Sequence, residues 1–273
     1  MITLQGVSKR FDRVNAVTGI DWNVNVGEWW GIIGPNGSGK STLLHLLSGV
    51  ELPSSGHLQF RGREVSSYNR KELARSVAVL QQEGLAPSDF TVREVLEMGR
   101  YPFQDWMGRE KKDSGPLLDR IIRKLELENF ESRRLDQLSG GQRQRAALGK
   151  VMAQEPTLLL LDEPTTYLDI RHQLQFMNMV AEWREDTGIT VISVLHDLNL
   201  AAQFCDRLLV LQDGKIAGEG TPAEILTEDF IRRVFRVDPA VVSHPENGAP
   251  QVLLTANVSD SSGQAEIHTE AGR

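Results

Sequence analysis

Cysteine, excess positive charge and long apolar runs are all scarce in this chain. Cys205 is the one cysteine among 273 residues. A single thiol excludes an internal disulfide and any metal site built from several cysteines, so Cys205 reads as a small, inert helix residue. Lys and Arg number 30 against 37 Asp and Glu, giving a net charge of −7 with no long basic run. Nucleic acid is therefore not expected as a partner, and any anion must be bound by local geometry. No uncharged apolar run approaches the ~18 residues of a membrane span. Met1-Ile2-Thr3-Leu4-Gln5 has neither a charged start nor an apolar stretch, so no secretory signal is expected and the chain reads as cytoplasmic. Hydrophobic residues make up 40 %, ample for one large domain or two small ones. No internal repeat is visible.

What the chain does have is Gly34-Pro35-Asn36-Gly37-Ser38-Gly39-Lys40-Ser41-Thr42. This fits G-x-x-x-x-G-K-[ST], the P-loop pattern. The apolar run Trp29-Trp30-Gly31-Ile32-Ile33 before it predicts a buried strand, and Leu43, Leu44, Leu46 and Leu47 behind it predict a helix. Glycines let backbone N–H groups approach a phosphate chain, and the helix start aims more N–H groups at the same anion. Lys40 can reach the β- and γ-phosphates, and the Ser41 hydroxyl can ligate Mg²⁺. The residues of the whole segment, Gly34 to Thr42, are thus candidate ATP contacts.

Strand signals flank this element at 2–7, 20–26, 57–60 and 77–80, with a helix expected over 70–76. Residues 83–153 differ in texture. Helical spacing dominates there, as in Leu117, Leu118, Ile121, Ile122 and Leu125, so the stretch reads as a helical insertion. From 157 onward strand and helix alternate again: strands at 158–161, 189–195, 207–212 and 215–218, helices at 170–186 and 198–205. Asp213-Gly214 is a hairpin turn signal, and Thr221-Pro222 starts a helix with Thr at the N-cap. From about Asn257 the chain is small and polar, and a disordered tail over 257–273 is expected.

Two further stretches carry chemistry. Leu158-Leu159-Leu160-Leu161-Asp162-Glu163-Pro164 is a buried strand ending in two carboxylates. Beside a P-loop, Asp162 can hold the Mg²⁺ shell and Glu163 can polarise an attacking water. Leu138-Ser139-Gly140-Gly141-Gln142 precedes a helix and offers an N-cap hydroxyl and two bare amides, a second anion seat.

Leu-Ser-Gly-Gly-Gln between a P-loop and such a strand resembles the signature of the ABC-type ATPases. GTPases and small-molecule kinases lack this element. The resemblance spans residues 1 to about 237 and implies an α/β P-loop NTPase fold. Its parts would be a RecA-like mixed sheet core, an N-terminal antiparallel β-subdomain and a helical signature-motif subdomain at about 83–153, all within a domain covering 1–256. It also implies roles for further residues. Phe11 stands where the family stacks an aromatic on adenine. Gln82 matches the glutamine that contacts Mg²⁺ and water, although Gln81 occupies a position commonly held by Pro and either could serve. Asp169 matches an aspartate at a dimer interface, and His196 a histidine on the γ-phosphate. The other histidines have no such context. In the implied mechanism two domains pair head to tail. ATP lies between Lys40 of one and Ser139, Gly140, Gly141 and Gln142 of the other, with Glu163 as base.

Met98 to Pro102, Thr165 to Leu174 and Leu195 to Ala201 resemble the ATPases of iron-siderophore importers, whose relatives move haem or vitamin B12. That branch implies integral-membrane permease subunits as partners, an extracytoplasmic substrate-binding protein acting indirectly, and a peripheral place on the cytoplasmic face of the membrane. Leu96, Met98, Tyr101, Phe103, Trp106 and Met107 form an aromatic and Met-rich stretch that suits either a helix core or a groove for a permease helix. A soluble ABC-type ATPase with no transport role is the alternative. Its ribosomal form carries two such domains and a basic linker, and its DNA form a long coiled coil, neither of which this chain has.

Overall fold

The computed structural model describes residues 1–254 except Glu83, Lys111 and Tyr167. The tail expected over 257–273 lies outside the described residues. In chain order, β1 (Ile2–Phe11) and β2 (Val14–Val24) form an antiparallel hairpin, and β3 (Trp29–Ile33) leads through the P-loop into α1 (Lys40–Leu47). Next come β4 (Ser55–Phe60), β5 (Arg63–Glu64), α2 (Arg70–Ala74) and β6 (Val77–Leu80). The insertion holds α3 (Val92–Met98), α4 (Gly115–Lys124) and α5 (Gly140–Ala153). After it run β7 (Leu158–Asp162), α6 (Ile170–Thr187), β8 (Thr190–Val194), α7 (Leu198–Phe204), β9 (Arg207–Gln212) and β10 (Lys215–Gly220). The described chain closes with α8 (Pro222–Ile225), α9 (Glu228–Phe235), β11 (Pro239–Ser243) and β12 (Pro250–Leu254).

These strands make an antiparallel sheet in the order β2-β1-β4-β5 and a mixed sheet in the order β10-β9-β3-β8-β7-β6. In the second sheet only the edge pair β9–β10 is antiparallel. Its central strands are apolar throughout because both faces are covered. Trp29, Leu159, Leu161 and Val191 face α5 and α6, while Trp30, Ile32, Leu158, Leu160 and Ile192 face α1 and the first sheet. Strand alternation thus divides one sheet between two cores.

Several boundaries differ from the sequence reading. The second strand begins at Val14 and stops at Val24, because the Glu28 carboxylate accepts from the Asn25 N–H at 2.8 Å and turns the chain there. Val26 consequently points to solvent. β1 runs on to Phe11, and α2 stops at Ala74, where the Ser76 carbonyl accepts from the amides of Thr157 and Leu158. The β11–β12 hairpin and α9 were not anticipated; Asn199 secures the hairpin by pairing with both backbone groups of Val252.

Candidate nucleotide site

Strand order builds the site. β3, β8 and β7 are neighbours and parallel, so their carboxyl ends share one edge of the sheet. There the chain leaves β3 into the P-loop, β8 toward His196 and β7 toward Glu163. Open parallel sheets hold ligands at this edge.

The P-loop is shaped by contacts only glycine allows. Gly34 has φ +147°, and a Cβ there would sit 2.1 Å from the Leu211 carbonyl oxygen. Gly39 has φ +100°, and a Cβ would sit 2.4 Å from the Ala16 carbonyl oxygen on β2. Gly39 is also the N-cap of α1 and supplies no side chain to cap it. The amides of Gly37, Gly39, Lys40 and Ser41 therefore find no acceptor among the described residues. Lys40 is buried, and its Nζ donates to the carbonyls of Gly34 at 2.9 Å and Pro35 at 3.0 Å. Burial lowers its pKa, while the charges of Glu163 and Asp162 oppose that. The Ser38 hydroxyl is buried with no partner.

Asp162 ends β7. Burial raises its pKa, and the neighbouring Glu163 charge raises it further. Its Oδ1 is buried and has no hydrogen-bond partner among the described residues. That is a poor arrangement for an isolated protein and a good one for a cation. Glu163 takes φ +47°, the left-handed region that costs a non-glycine residue about 1–2 kcal/mol. The turn it makes brings Oε1 to 2.5 Å from His196 Nε2. Thr166 donates to the Glu163 carbonyl at 3.2 Å, so both ends of the residue are held. Sequence reading assigned no task to Thr166, and nothing local in the sequence marks it.

The signature turn lies elsewhere. Ser139 caps α5 by accepting from Gln142 N–H at 3.3 Å, and Gln142 Oε1 accepts from Ser139 N–H at 2.9 Å. Ser139 and Gly140 are exposed, and the amides of Gly140 and Gly141 have no acceptor among the described residues. Gln144 ties α5 to the turn after β7 by donating to the Pro164 carbonyl at 2.9 Å. Gln82, Gly140 and Pro164 then line one cleft of about 230 Å³, while Gln81 is exposed and outside it. Asp169 caps α6 and accepts from His172 N–H at 2.9 Å. Phe11 is 41 % exposed at the tip of the β1–β2 hairpin, with Lys9 Nζ 4.9 Å from its ring centre. The structure thus gathers Lys40, Asp162, Glu163 and His196, and separately Gln82 with Gly140. Among the described residues no hydrogen bond or ion pair joins 139–142 to 34–42.

Comparison with known proteins agrees with this geometry. The ABC transporter family model matches residues 17–166. The chain belongs to the ABC transporter family. As a member it is an ATP-binding ATPase. It is 39 % identical over 235 residues to the ferric enterobactin transport ATP-binding protein of Escherichia coli K12, covering 86 % of this chain and 87 % of that one. It is 42 % identical over 261 residues to a hemin import ATP-binding protein of Bradyrhizobium diazoefficiens, covering 93 % and 94 %. A dimeric bacterial ABC transporter cassette superposes with TM-score 0.70 at 29 % identity, over 81 % of this chain and 98 % of that one.

The aromatic stretch after Gln82 divides between its two readings. Leu96 is fully buried, but Met98, Tyr101, Trp106 and Met107 are exposed, Trp106 at 92 %. Among the described residues no helix is long and apolar enough to cross a membrane.

Proposed function

We propose that this ABC ATPase powers an importer of ferric siderophores, working as a head-to-tail homodimer held by integral-membrane permease subunits on the cytoplasmic face. The relatives named for ferric enterobactin, petrobactin and hydroxamate import support the cargo, and the hemin importers keep haem as the second reading. The exposed Tyr101, Trp106 and Met107 support a permease contact.

The observation that carries the paired arrangement is the isolation of the signature turn. Ser139 and Gly140 are exposed, and the Gly140 and Gly141 amides have no acceptor among the described residues. A partner's γ-phosphate fits that seat. On the P-loop side, the free amides and Lys40 hold the triphosphate, and Phe11 stacks on adenine. Lys40 must leave the Gly34 and Pro35 carbonyls to do so. Mg²⁺ would be held by Ser41, Asp162 and Gln82, and would neutralise phosphate charge. Among the described residues no three His, Cys, Asp or Glu side chains could hold a metal unaided, so the nucleotide's phosphate oxygens would have to share in holding it. Glu163 takes the proton from the attacking water, and His196 fixes the Glu163 carboxylate and then reaches the γ-phosphate. Asp169 sits at the paired face.

Cross-linking tests the pairing. Asn36 and Gly140 are both exposed, and Cys205, the only thiol, is replaced by Ser. With Asn36→Cys, Gly140→Cys and Glu163→Gln in one chain, a short bis-maleimide should give an ATP-dependent species of twice the monomer mass. An internally bridged monomer instead would remove the paired site. Growth of a deletion strain on individual iron chelates tests the cargo. Loss of haem use with every siderophore still taken up would move the assignment to haem.

A further inference from the structure

The groups proposed to face a partner chain sit on two separate elements. Ser139 and the Gly140 and Gly141 amides belong to the start of α5, and Asp169 to the start of α6. Among the described residues no hydrogen bond joins 139–142 to 168–172. The side chain of His172 lies between them.

His172 is gripped from the α6 side. The Asp169 carboxylate accepts from its backbone N–H at 2.9 Å and lies 2.8 Å from its ring Nδ1. These bonds, the backbone one first, hold the Asp169 carboxyl below its usual range, so it is ionised at neutral pH. An ionised carboxylate only accepts, so Nδ1 carries a proton and the ring cannot turn away without losing that bond.

The far edge of the ring lies on the signature turn. A Cβ on Gly141 would sit 2.8 Å from His172 Cδ2 and 3.2 Å from Nε2, and the three atoms nearest to it all belong to that ring. Gly141 is outside the left-handed region, so its backbone does not itself call for glycine. At Gly140 a Cβ would meet nothing within 4 Å. The two glycines of one turn thus differ: Gly140 is open, and Gly141 seats a histidine. The seam around the ring, walled by Leu168, Phe176 and Gln144, leaves about 10 Å³. That is about the least a single water needs, so the two elements are in direct contact there.

We propose that His172 is a positioning residue for the half of the nucleotide site offered to a partner: its ring fixes the signature turn and Asp169 in one geometry, so that the partner meets both together. This rests on the head-to-tail pairing proposed above. His172 acts through Gly141 and Asp169 and touches no nucleotide itself.

Sedimentation equilibrium with ATP, in the Glu163→Gln background, tests this. His172→Ala should weaken ATP-dependent pairing at least fivefold, with the urea midpoint and single-chain ATP affinity little changed. His172→Asn can keep the hydrogen bond to Asp169 but has no ring to lay on Gly141, and should weaken pairing as much. Gly141→Ala should push the ring aside and also weaken pairing. Added to His172→Ala, it should cost less than twofold more, because the ring it displaces is already gone. Parental pairing in either His172 variant would overturn the proposal and leave the paired site standing. Losses that multiply in the double variant would overturn it too, since Gly141 and His172 would then act separately. So would a weakened pairing matched by a fall in the urea midpoint, which would make His172 a part of the fold alone. A Glu163→Gln parent that does not pair with ATP at all would remove the head-to-tail reading and this inference with it.

Discussion

The P-loop and the signature turn are both helix starts rich in glycine, yet the chain finishes one and leaves the other open. Ser139 and Gln142 cap α5 reciprocally, so at that helix start only the Gly140 and Gly141 amides are left without an acceptor among the described residues. Gly39 gives α1 no cap, and the amides of Gly37, Gly39, Lys40 and Ser41 find no acceptor among the described residues. The P-loop also encloses a buried lysine resting on its own carbonyls and faces a buried, unpartnered carboxylate oxygen. Uncapped donors and buried charges are costly in an isolated protein. In the proposed function the P-loop is thus the seat that would bind first and strongly. The signature turn, capped and exposed, would in the proposed pairing be the part that joins and leaves.

The largest expected effect breaks the P-loop side alone. Gly39→Ala would place a methyl 2.4 Å from the Ala16 carbonyl in a backbone conformation that alanine resists. We expect a loss of roughly 3 kcal/mol or more in stability and no measurable nucleotide binding. Gly140→Ala is the matched control, since a Cβ there meets nothing within 4 Å. It should fold within about 1 kcal/mol of the parent, because alanine also suits a helix start. Urea unfolding and equilibrium binding of a fluorescent ATP analogue separate the two. Equal damage from both substitutions would mean that the two turns are not different in kind.

Next in size is the proposed base. Glu163→Gln should lower turnover by roughly 10²–10⁴ while keeping ATP affinity, and should accumulate an ATP-bound dimer visible by size-exclusion chromatography. Dimer accumulation is the informative part, because in the proposed pairing it needs the signature turn of the second chain. Near-parental hydrolysis would remove Glu163 from that role.

Ser139→Ala sharpens the comparison further. Losing the cap should cost about 1 kcal/mol of stability. Losing a hydroxyl that meets a phosphate should cut turnover by roughly tenfold or more, as a charged hydrogen bond is worth about 1.5–3 kcal/mol. ATP affinity measured at protein concentrations too low for pairing should not move. A weakened monomer affinity would place Ser139 on its own chain's nucleotide.

The unequal legibility of the two halves follows from where their information lies. The P-loop, the Leu158–Asp162 strand and the Ser139 cap are each local patterns, readable within a dozen residues. What brings Lys40, Asp162, Glu163 and His196 together is the order β3-β8-β7, a non-local fact that no window of sequence contains. Thr166 and Gln144 act on the site through backbone carbonyls, which carry no residue type to recognise. The left-handed turn at Glu163 is hidden for the same reason. The β11–β12 hairpin was missed because its residues are mostly half-exposed and alternate weakly, and Asn199 holds it from fifty-odd residues away.

The smallest effect tests whether the open seat carries a penalty at rest. Burial and Glu163 raise the Asp162 pKa in the folded chain. A raised carboxylate favours folding at low pH, and that contribution is lost as pH rises through the folded value. Ionised Asp162 therefore destabilises the nucleotide-free protein at neutral pH. Asp162→Asn should raise nucleotide-free stability there by on the order of 1 kcal/mol, and the gain should vanish below the ordinary carboxylate range, where both states are protonated. The same substitution should abolish the extra thermal stabilisation that Mg²⁺ adds to ATP. Glu163 would also lose the neighbour that repels it, which is why the measurement belongs in the nucleotide-free state first. A gain that persisted unchanged at low pH would arise from packing, and the strain assigned to the open P-loop would have to be sought in Lys40 instead.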